Sequence, residues 1–234
     1  LPPPVDLSPR PFHFTGDGSE YFRIWIVNLL LSIVTLGIYY PWAKVRRLRY
    51  FHGNTLVGGQ PLGYHADPGR MLPGYLLVAG MSVVYATASR YAPGAGLAAF
   101  LVIAAIWPAL IMSSLRFRLA NTSWRGLRLE FRGSLRGAYG AWLPLLAPIV
   151  ALTAAGAALP DRANPPAWHS TMVLAIVLAS LALVPLVWWN LKKYQHDHYA
   201  YGPEQTTLHA GKGAFYKVFS KAGGIAALAV LAAV

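Results

Sequence analysis

The chain has 234 residues, of which 56% are hydrophobic and only 12% are charged, and its formal net charge is +12. Because soluble domains carry about 25% charged residues, this composition excludes an ordinary soluble protein with a polar surface. The absence of cysteine excludes disulfides, thiolate metal sites and cysteine nucleophiles.

Long apolar runs follow one another along the chain. A helix needs roughly 20 apolar residues to cross a hydrocarbon core of about 30 Å. By that measure the runs 92–115, 138–160 and 170–191 span a bilayer, and the run 72–89 just spans. The run 24–40 is marginal, and the run 222–234 is the start of a further span. Too little chain remains to bury all of them in a soluble core. The six runs are residues 24–40, 72–89, 92–115, 138–160, 170–191 and 222–234.

The basic residues are concentrated between the runs, in segments 42–70, 116–137 and 192–221, which hold 16 of the 20 lysines and arginines. The other two connections between runs carry only Arg90 and Arg162. An excess of Lys and Arg marks the cytoplasmic loops of membrane proteins. These three segments are therefore predicted to be cytoplasmic and to face anionic lipid headgroups, and their distribution argues against nucleic acid as a partner.

An internal repeat emerges when the chain is aligned on Pro41, Pro108 and Pro185, each near the end of an apolar run. A cationic residue stands eight positions after each proline, an aromatic residue nine positions after it and a hydrogen-bonding side chain thirteen positions after it. The aromatic and hydrogen-bonding members form the repeat signature, which consists of Tyr50 and Asn54, Phe117 and Asn121, and Tyr194 and His198.

Each basic segment also contains a predicted β-hairpin. Residues 127–132 alternate apolar and charged side chains with the period of a half-buried strand. The glycine pair at 58–59 is typical of a hairpin turn, and residues 199–208 follow the same pattern more weakly. Isolated hairpins are marginally stable. We therefore expect these strands to pair with one another, and with Phe12–Phe14, in a small cytoplasmic layer.

Residues 12–41 form a short first hairpin with two open interpretations. If Phe12–Phe14 is cytoplasmic like the other strands, the 17 residues of the run 24–40 must leave and return on the same side. They are too few to span twice, so this interpretation requires a re-entrant hairpin with its turn at 35–37. Such hairpins are tolerated where protein covers their backbone. The alternative is a single crossing with the N-terminus outside.

The first copy of the repeat carries a specific set of motifs. Residues 25–47 combine Asn28, a Thr-Leu-Gly turn at 35–37 and a Trp-Ala-Lys run at 42–44 that leads into a pair of arginines. This segment resembles the YjgN-like family of bacterial inner-membrane proteins, most strongly over residues 12–75. The resemblance implies a location in the bacterial inner membrane. That family is a domain of unknown function, so the resemblance implies no catalytic residue.

The sequence offers no catalytic residue and no cofactor site. The six runs contain no Asp, Glu, Lys, Arg or His, whereas proton transport and hydrolysis within a membrane depend on ionisable side chains. The most polar side chains in the runs are Asn28 and Asn190. Asparagines in spans usually hydrogen-bond neighbouring helices, and that is the role predicted for both.

The tightest cluster of candidate metal ligands is His196, Asp197 and His198. In an extended segment the two histidines share a face while Asp197 points away, and no His-Glu-x-x-His pattern is present. Interfacial histidines in a basic loop are therefore the preferred interpretation, and His196 and His198 are only weak metal candidates.

Aromatic residues cluster near the predicted ends of the spans, beside Lys and Arg, as in the aromatic belts at membrane interfaces. Such a belt also suits a lipid headgroup, because guanidinium groups pair with phosphate. The residues predicted to contact lipid headgroups or a partner are Arg46, Arg47, Arg49, Arg116, Trp42 and Trp124.

The sequence thus predicts an α-helical polytopic membrane protein, one domain over residues 1–234, in which repeated transmembrane helical hairpins (71–115 and 138–191) are joined by short basic cytoplasmic β-hairpin segments. Three functions fit this prediction. The first, favoured by the absence of catalytic residues, is a non-enzymatic scaffold or subunit that docks a partner protein or a further copy of itself through its cytoplasmic segments. The second is a transporter, channel or lipid-handling protein with a cavity between repeats. The third is a membrane enzyme or enzyme subunit.

Overall fold

A computed structural model describes residues 11–157 and 166–232. Helices alternate with short strands along this part of the chain. The helices are α1 (Gly18–Val34), α2 (Tyr40–Gly53), α3 (Pro68–Tyr91), α4 (Pro93–Ala120), α5 (Leu135–Ala157), α6 (Ala167–His196) and α7 (Lys212–Ala232). The strands are β1 (Phe12–Phe14), β2 (Thr55–Val57), β3 (Gln60–Tyr64), β4 (Thr122–Trp124), β5 (Leu127–Phe131), β6 (Tyr199–Tyr201) and β7 (Glu204–Gln205).

The chain forms two compact units. The first unit comprises the residues up to Phe131 together with Ala200–Glu204, and the second unit comprises Arg132–Tyr199 and the residues from Gln205 onward. Helices α1 to α4 therefore belong to the first unit, and α5 to α7 belong to the second.

Four of the described helices are long and apolar enough to cross a membrane. They are Pro68–Tyr91, Gly94–Ala120, Leu135–Leu152 and Ala167–His196. A helix satisfies its own backbone hydrogen bonds, so it can cross hydrocarbon without exposing unpaired polar groups. The prediction of a mostly helical, polytopic membrane protein is confirmed at this level.

Helices α1 and α2 are joined by a tight turn. Asp17 caps the start of helix α1, because its carboxylate accepts hydrogen bonds from the backbone N–H groups of Ser19 and Glu20 at 3.0 and 3.2 Å. The helix has 17 residues, a length of about 25 Å. The chain then reverses through Leu36 and Gly37, whose φ angles of 50° and 87° are left-handed. Gly37 suits this turn because glycine has no side chain to resist a positive φ.

The strands form one sheet whose order follows the chain from β1 to β7. Tight two-residue turns connect the strands of the first two hairpins, with positive φ at Gly58 and Gly59 and again at Arg125 and Gly126. These are the backbone angles that match the twist of a hairpin. Between the hairpins, β3 pairs with β4 in antiparallel register, with Tyr64 opposite Thr122.

The core of the first unit lies where α2, β3 and α4 meet. Val45, Tyr64 and Ala66 are buried there, and Leu48, Met71 and Phe117 pack against them. Tyr64 is the last residue of β3, so its packing in this core links the sheet to the helices.

In the second unit, α5 packs along α6. Ala138 and Ala141 of α5 are buried, as are Val187 and Leu191 of α6. Small alanines allow two helix backbones to approach closely inside a membrane. Asn190 links the pair, since its Nδ2 donates hydrogen bonds to the carbonyls of Gly140 and Ala141 at 3.4 and 3.3 Å.

Candidate functional site

A cavity of about 270 Å³ lies between α1 and α2. Its lining residues recur at helical spacing, which places one face of each helix on the cavity. The lining residues are Tyr21, Trp25, Asn28, Leu29 and Ser32 of α1, and Tyr40, Ala43, Lys44 and Arg47 of α2.

Asn28 is the buried polar residue of this cavity, with a side chain that is only 8% exposed. Its Nδ2 donates a hydrogen bond to the backbone carbonyl of Ala43 at 3.4 Å. Its Oδ1 is shielded from solvent and accepts no hydrogen bond from the described residues. Turning the amide over would set two oxygens against each other, so the contact with Ala43 fixes the orientation. An unsatisfied acceptor is therefore buried at the contact between α1 and α2.

Two cations, Lys44 and Arg47, line the cavity on α2. Neither forms an ion pair with any residue that the structure describes. Burial lowers the pKa of the Lys44 ammonium, and the positive charges of Arg118 and Arg47 lower it further. An anion in the cavity would relieve both effects, because it replaces lost hydration and offsets the repulsion.

The cavity lies between an apolar tip and a basic stretch of chain. At the tip, Val34 is 79% exposed and Leu36 is 93% exposed, and side chains of this kind are stable in hydrocarbon but not in water. On the other side, Arg46 and Arg47 are exposed on α2. Aromatic residues with polar tips, such as Trp25 beside Phe22 at 5.8 Å, are typical of the interface between lipid and water.

Of the six residues predicted to contact lipid headgroups or a partner, only Arg47 lines the cavity. Arg46 is exposed on α2, while Arg49 donates from Nη2 to the carbonyl of Ala66 at 3.0 Å. Trp42 stacks on Tyr39 with ring centroids 6.1 Å apart.

The remaining two lie elsewhere in the first unit. Arg116 is an exposed residue of α4. Trp124, in β4, donates from its indole N–H to the carbonyl of Val57 at 3.2 Å and packs under the guanidinium of Arg125 at 4.7 Å. Its role in the structure is thus to fasten two hairpins of the sheet together.

The repeat signature residues share one local geometry. Each hydrogen-bonding member donates to the backbone carbonyl four residues earlier, where the helix ends and its last carbonyls lack partners. The donor–acceptor distances are 2.9 Å for Asn54 Nδ2 to Tyr50, 2.7 Å for Asn121 Nδ2 to Phe117, and 2.8 Å for His198 Nδ1 to Tyr194.

The aromatic members with a hydroxyl group connect each helix end to a helix start. Tyr50 donates to the carbonyl of Asp17 at 2.6 Å, and Tyr194 donates to the carbonyl of Ser134 at 2.9 Å. Asp17 caps the first turn of α1, and Ser134 caps the first turn of α5. The end of α2 is thus tied to the start of α1, and the end of α6 is tied to the start of α5. Phe117 has no hydroxyl group and packs instead in the core of the first unit.

The two weak metal candidates, His196 and His198, lie at the C-terminal end of α6 and make structural contacts there. His198 donates from Nδ1 to Tyr194, and His196 packs edge-on against Tyr199 at 5.1 Å. Between them, Asp197 accepts hydrogen bonds from Lys193 Nζ and from the N–H of Leu208, each at 2.7 Å. These bonds lower the pKa of the Asp197 carboxyl in spite of its partial burial. Within the described residues, no group of three or more His, Asp or Glu side chains is placed to hold a metal ion.

A family model described as "Bacterial protein of unknown function (DUF898)" matches residues 9–234. The chain belongs to this family. Two similar relatives are both named "Inner membrane protein YjgN". The one from Salmonella typhimurium is 35% identical over 60% of this chain and 35% of the relative. The one from Escherichia coli K12 is 30% identical over 78% of this chain and 46% of the relative.

The chain thus spans less than half the length of the curated relatives it matches. No solved structure matches it. The four apolar helices and the inner-membrane relatives together make this family member a multi-pass protein of the bacterial inner membrane. The activity of the family is unknown, so the cavity must be interpreted from its own chemistry.

Sequence reasoning missed most of the cavity. It predicted that Asn28 hydrogen-bonds a neighbouring helix, which the bond to Ala43 of α2 confirms, but it counted Lys44 only as part of a basic segment. A signal was present, because residues 21, 25, 28 and 32 share one helix face, as do residues 40, 44 and 47. The sequence does not show that these faces of α1 and α2 oppose each other.

Proposed function

We propose that this protein is a non-enzymatic membrane protein that binds the phosphate of an anionic lipid headgroup in the cavity between α1 and α2. The observation that carries the proposal is the pair of cations, Lys44 and Arg47, that line the cavity beside the buried Asn28. Ammonium and guanidinium groups are the side chains that pair best with phosphate, and the partial burial of Lys44 strengthens its pairing.

The apolar tip of the hairpin supports a lipid as the source of the phosphate. With Val34 and Leu36 in hydrocarbon, Lys44 and Arg47 come to the level of the headgroups, about 10 to 15 Å back along the helices at 1.5 Å per residue. The small size of the cavity also fits a headgroup rather than a whole lipid, since pockets that enclose drug-sized molecules are about 300 Å³ or more.

The proposal includes the architecture expected from the sequence. Transmembrane hairpins repeat along the chain, joined by basic β-hairpin segments on the cytoplasmic side, and the segment 12–41 is a re-entrant hairpin. The shared helix-end bonds of Asn54, Asn121 and His198 support the repeat. Helix α1, with 17 residues, is shorter than the roughly 20 residues of a comfortable crossing, which supports re-entry.

The test is a calorimetric titration of the purified full chain with short-chain phosphatidylglycerol in an uncharged detergent. The variant Lys44→Gln/Arg47→Gln removes both cavity cations without reversing charge. Each cation near an anionic surface contributes about 1 kcal/mol, so we expect roughly 30-fold weaker binding.

The matched control is Lys217→Gln/Lys221→Gln, which removes two cations from α7 in the second unit. It should change the affinity by less than about twofold, because exposed charges contribute little. Equal losses in both variants would mean that net charge alone attracts the lipid, and the proposal would be wrong.

A scaffold that docks a partner protein is the second candidate function. Within the described residues, β1 stands at one end of the strand order and pairs only with β2, and its Phe12 and Phe14 are exposed. An edge strand with free backbone groups is a template for strand addition by a partner. If this function holds, Phe12→Ser/Phe14→Ser should abolish the recovery of a stoichiometric partner from native membranes, whereas Lys44→Gln/Arg47→Gln should not.

A further inference from the structure

The charged side chains that the structure places on the lining of the α1–α2 cavity are both cations. Helix α2 contributes Lys44 and Arg47, whereas the described lining residues of α1 are all uncharged. A third cation, Arg118 of α4, acts on Lys44 as well. Burial, and then the positive charges of Arg118 and Arg47, lower the pKa of the Lys44 ammonium. A ligand with a single negative charge would therefore leave part of this positive charge unbalanced.

The two cavity cations are a property of the first copy of the repeat. Lys44 and Arg47 stand three and six positions after the proline on which that copy is aligned, and in the other two copies neither position holds a cation. The residues there are Ile111 and Ser114 after Pro108, and Trp188 and Leu191 after Pro185. Neighbouring like charges repel each other and are expected mainly at functional sites. A ligand that balances both charges explains why the first copy carries them.

Phosphate headgroups differ in the charge that they present to such a site. A phosphodiester, as in phosphatidylglycerol, carries one negative charge. A phosphomonoester ionises a second time at about pH 6 and carries about 1.5 to 2 negative charges at pH 7. It also has three terminal oxygens, so a guanidinium group can bind two of them while an ammonium group binds the third.

The spacing of the two cations suits one phosphate group. Lys44 and Arg47 are three residues apart on α2 and line the same cavity, and side chains at this spacing are neighbours on a helix surface. We infer that the cavity selects a phosphomonoester, bound as the dianion, with one negative charge balanced by Lys44 and the other by Arg47. The inference rests on the proposed function and names the ligand class of the same site. Such a group is the headgroup of phosphatidic acid, and it also occurs in soluble molecules such as glycerol 3-phosphate.

The experiment repeats the calorimetric titration of the full chain at about pH 8 with two short-chain lipids that have the same acyl chains, phosphatidic acid and phosphatidylglycerol. Doubling the charge of the ligand doubles its Coulomb attraction to each cation, although part of this gain offsets the greater cost of removing a dianion from water. We expect phosphatidic acid to bind roughly tenfold more tightly.

A pH series separates the ionisation of the ligand from that of the protein. At about pH 5 the phosphomonoester is mainly a monoanion, so the preference for phosphatidic acid should fall to less than about twofold. Phosphatidylglycerol keeps one charge over this range. Its affinity therefore reports any titration of the protein itself, including that of His52, which lies farther along α2.

Two adjacent arginines provide a matched pair of variants. Arg47→Gln removes a cavity cation and should lower the preference from roughly tenfold to about threefold, because one charge of the dianion loses its partner. Arg46→Gln removes an equal charge from an exposed position outside the cavity lining and should keep the full preference. Binding of phosphatidylglycerol by each variant verifies that the variant is folded.

The outcomes separate the inference from the proposed function. Equal affinities of the wild type for the two lipids at the higher pH, both reduced by Lys44→Gln/Arg47→Gln, would overturn the inference and leave the proposed function standing. A preference that persists in acid would overturn the inference too, as would an equal loss of preference in Arg46→Gln and Arg47→Gln. Failure of both lipids to bind would overturn both.

Glycerol 3-phosphate distinguishes the two sources of the phosphomonoester. Competition weaker than that of phosphatidic acid would support a lipid headgroup as the ligand. Competition at the affinity of the lipid would indicate a soluble phosphomonoester, and the membrane lipid would then be wrong as its source.

Discussion

Two helix pairs in this protein use asparagine in different ways. In the first unit, Asn28 donates to a single carbonyl of α2 and leaves its oxygen without a partner among the described residues. In the second unit, Asn190 donates to two adjacent carbonyls of α5 and is only half-buried. Asn190 serves to join two long helices, which is the common use of a polar side chain in a membrane.

The difference between the two pairs shows where an unsatisfied group is tolerated. Helices α5 and α6 have 23 and 30 residues, and Ala138 and Ala141 of α5 are buried, as are Val187 and Leu191 of α6. Helices α1 and α2 have 17 and 14 residues and line a cavity that carries two cations. Groups that break the rules of stable folding are expected mainly at functional or strained sites. The four predictions below test this contrast, beginning with the largest effect.

Cysteine labelling from the periplasm should be all-or-none. Asn164→Cys, between α5 and α6 and outside the described residues, should react with an impermeant maleimide on intact spheroplasts. Leu36→Cys, at the turn between α1 and α2, should not react if the first pair is re-entrant, and Gln60→Cys in β3 should react only after lysis. Labelling of Leu36→Cys in intact spheroplasts would show that the turn between α1 and α2 reaches the periplasm, and the re-entrant hairpin would be wrong.

Replacement of the two asparagines by leucine should change stability in opposite directions. Asn28→Leu removes a weak hydrogen bond together with an unsatisfied buried oxygen, so unfolding in a detergent titration should require about 1 kcal/mol more. Asn190→Leu removes two hydrogen bonds and should reduce stability by about 0.6 to 1 kcal/mol. If both variants are destabilised equally, Asn28 is a structural link like Asn190, and the contrast between the two helix pairs would be wrong.

The tyrosines at the helix ends should behave alike in both units. Tyr50→Phe and Tyr194→Phe each remove one hydrogen bond to the carbonyl that starts a helix, so each should lower the unfolding free energy by about 1 kcal/mol. The same detergent titration measures both. Tyr64→Phe serves as a control, because Tyr64 is held by packing in the core of the first unit. Unequal effects of the first two variants would show that the two helix ends are not equivalent.

The smallest effect concerns acid. Hydrogen bonds from the Ser19 hydroxyl and the Glu20 N–H lower the pKa of the Asp17 carboxyl below its ordinary value of 3.8. The unfolded chain therefore binds this proton more tightly, and the contribution of Asp17 to stability is present above the unfolded pKa and lost as the pH falls through the folded pKa. Unfolding of Asp17→Asn should show a weaker pH dependence than the wild type below about pH 5.

The control for this last prediction lies in the second unit. Ser134 caps α5 as Asp17 caps α1, but a hydroxyl group does not titrate in acid. Ser134→Ala should therefore lower stability by a constant amount at every pH. A pH-dependent effect of Ser134→Ala would show that its hydroxyl group acts through a neighbouring acid.

Much of the fold could be predicted from local patterns. The apolar runs gave the four spans because a membrane imposes a minimum helix length, and the glycine pair at 58–59 gave a turn because positive φ favours glycine. Residues 125–126 adopt the same turn with an arginine at the first position, which composition does not indicate. The strand order could not be predicted from local patterns, because it depends on which hairpins pair with each other.

The cavity could not be predicted because it depends on the packing of two faces. Asn28 stood out in the sequence as a polar residue in an apolar run, but its distance from Ala43 and the orphaned Oδ1 are tertiary facts. Likewise, Arg46, Arg47 and Arg49 were equivalent cations in the sequence. All three lie on α2, but only Arg47 lines the cavity, and Arg49 donates a hydrogen bond to the carbonyl of Ala66.

The agreement between strand order and chain order has a consequence for biogenesis. When a ribosome delivers the chain to the membrane, the strand that pairs with each new hairpin has already been synthesised. Strand β4 completes its contact with β3 without waiting for any later segment. Assembly can therefore advance with translation, one insertion at a time.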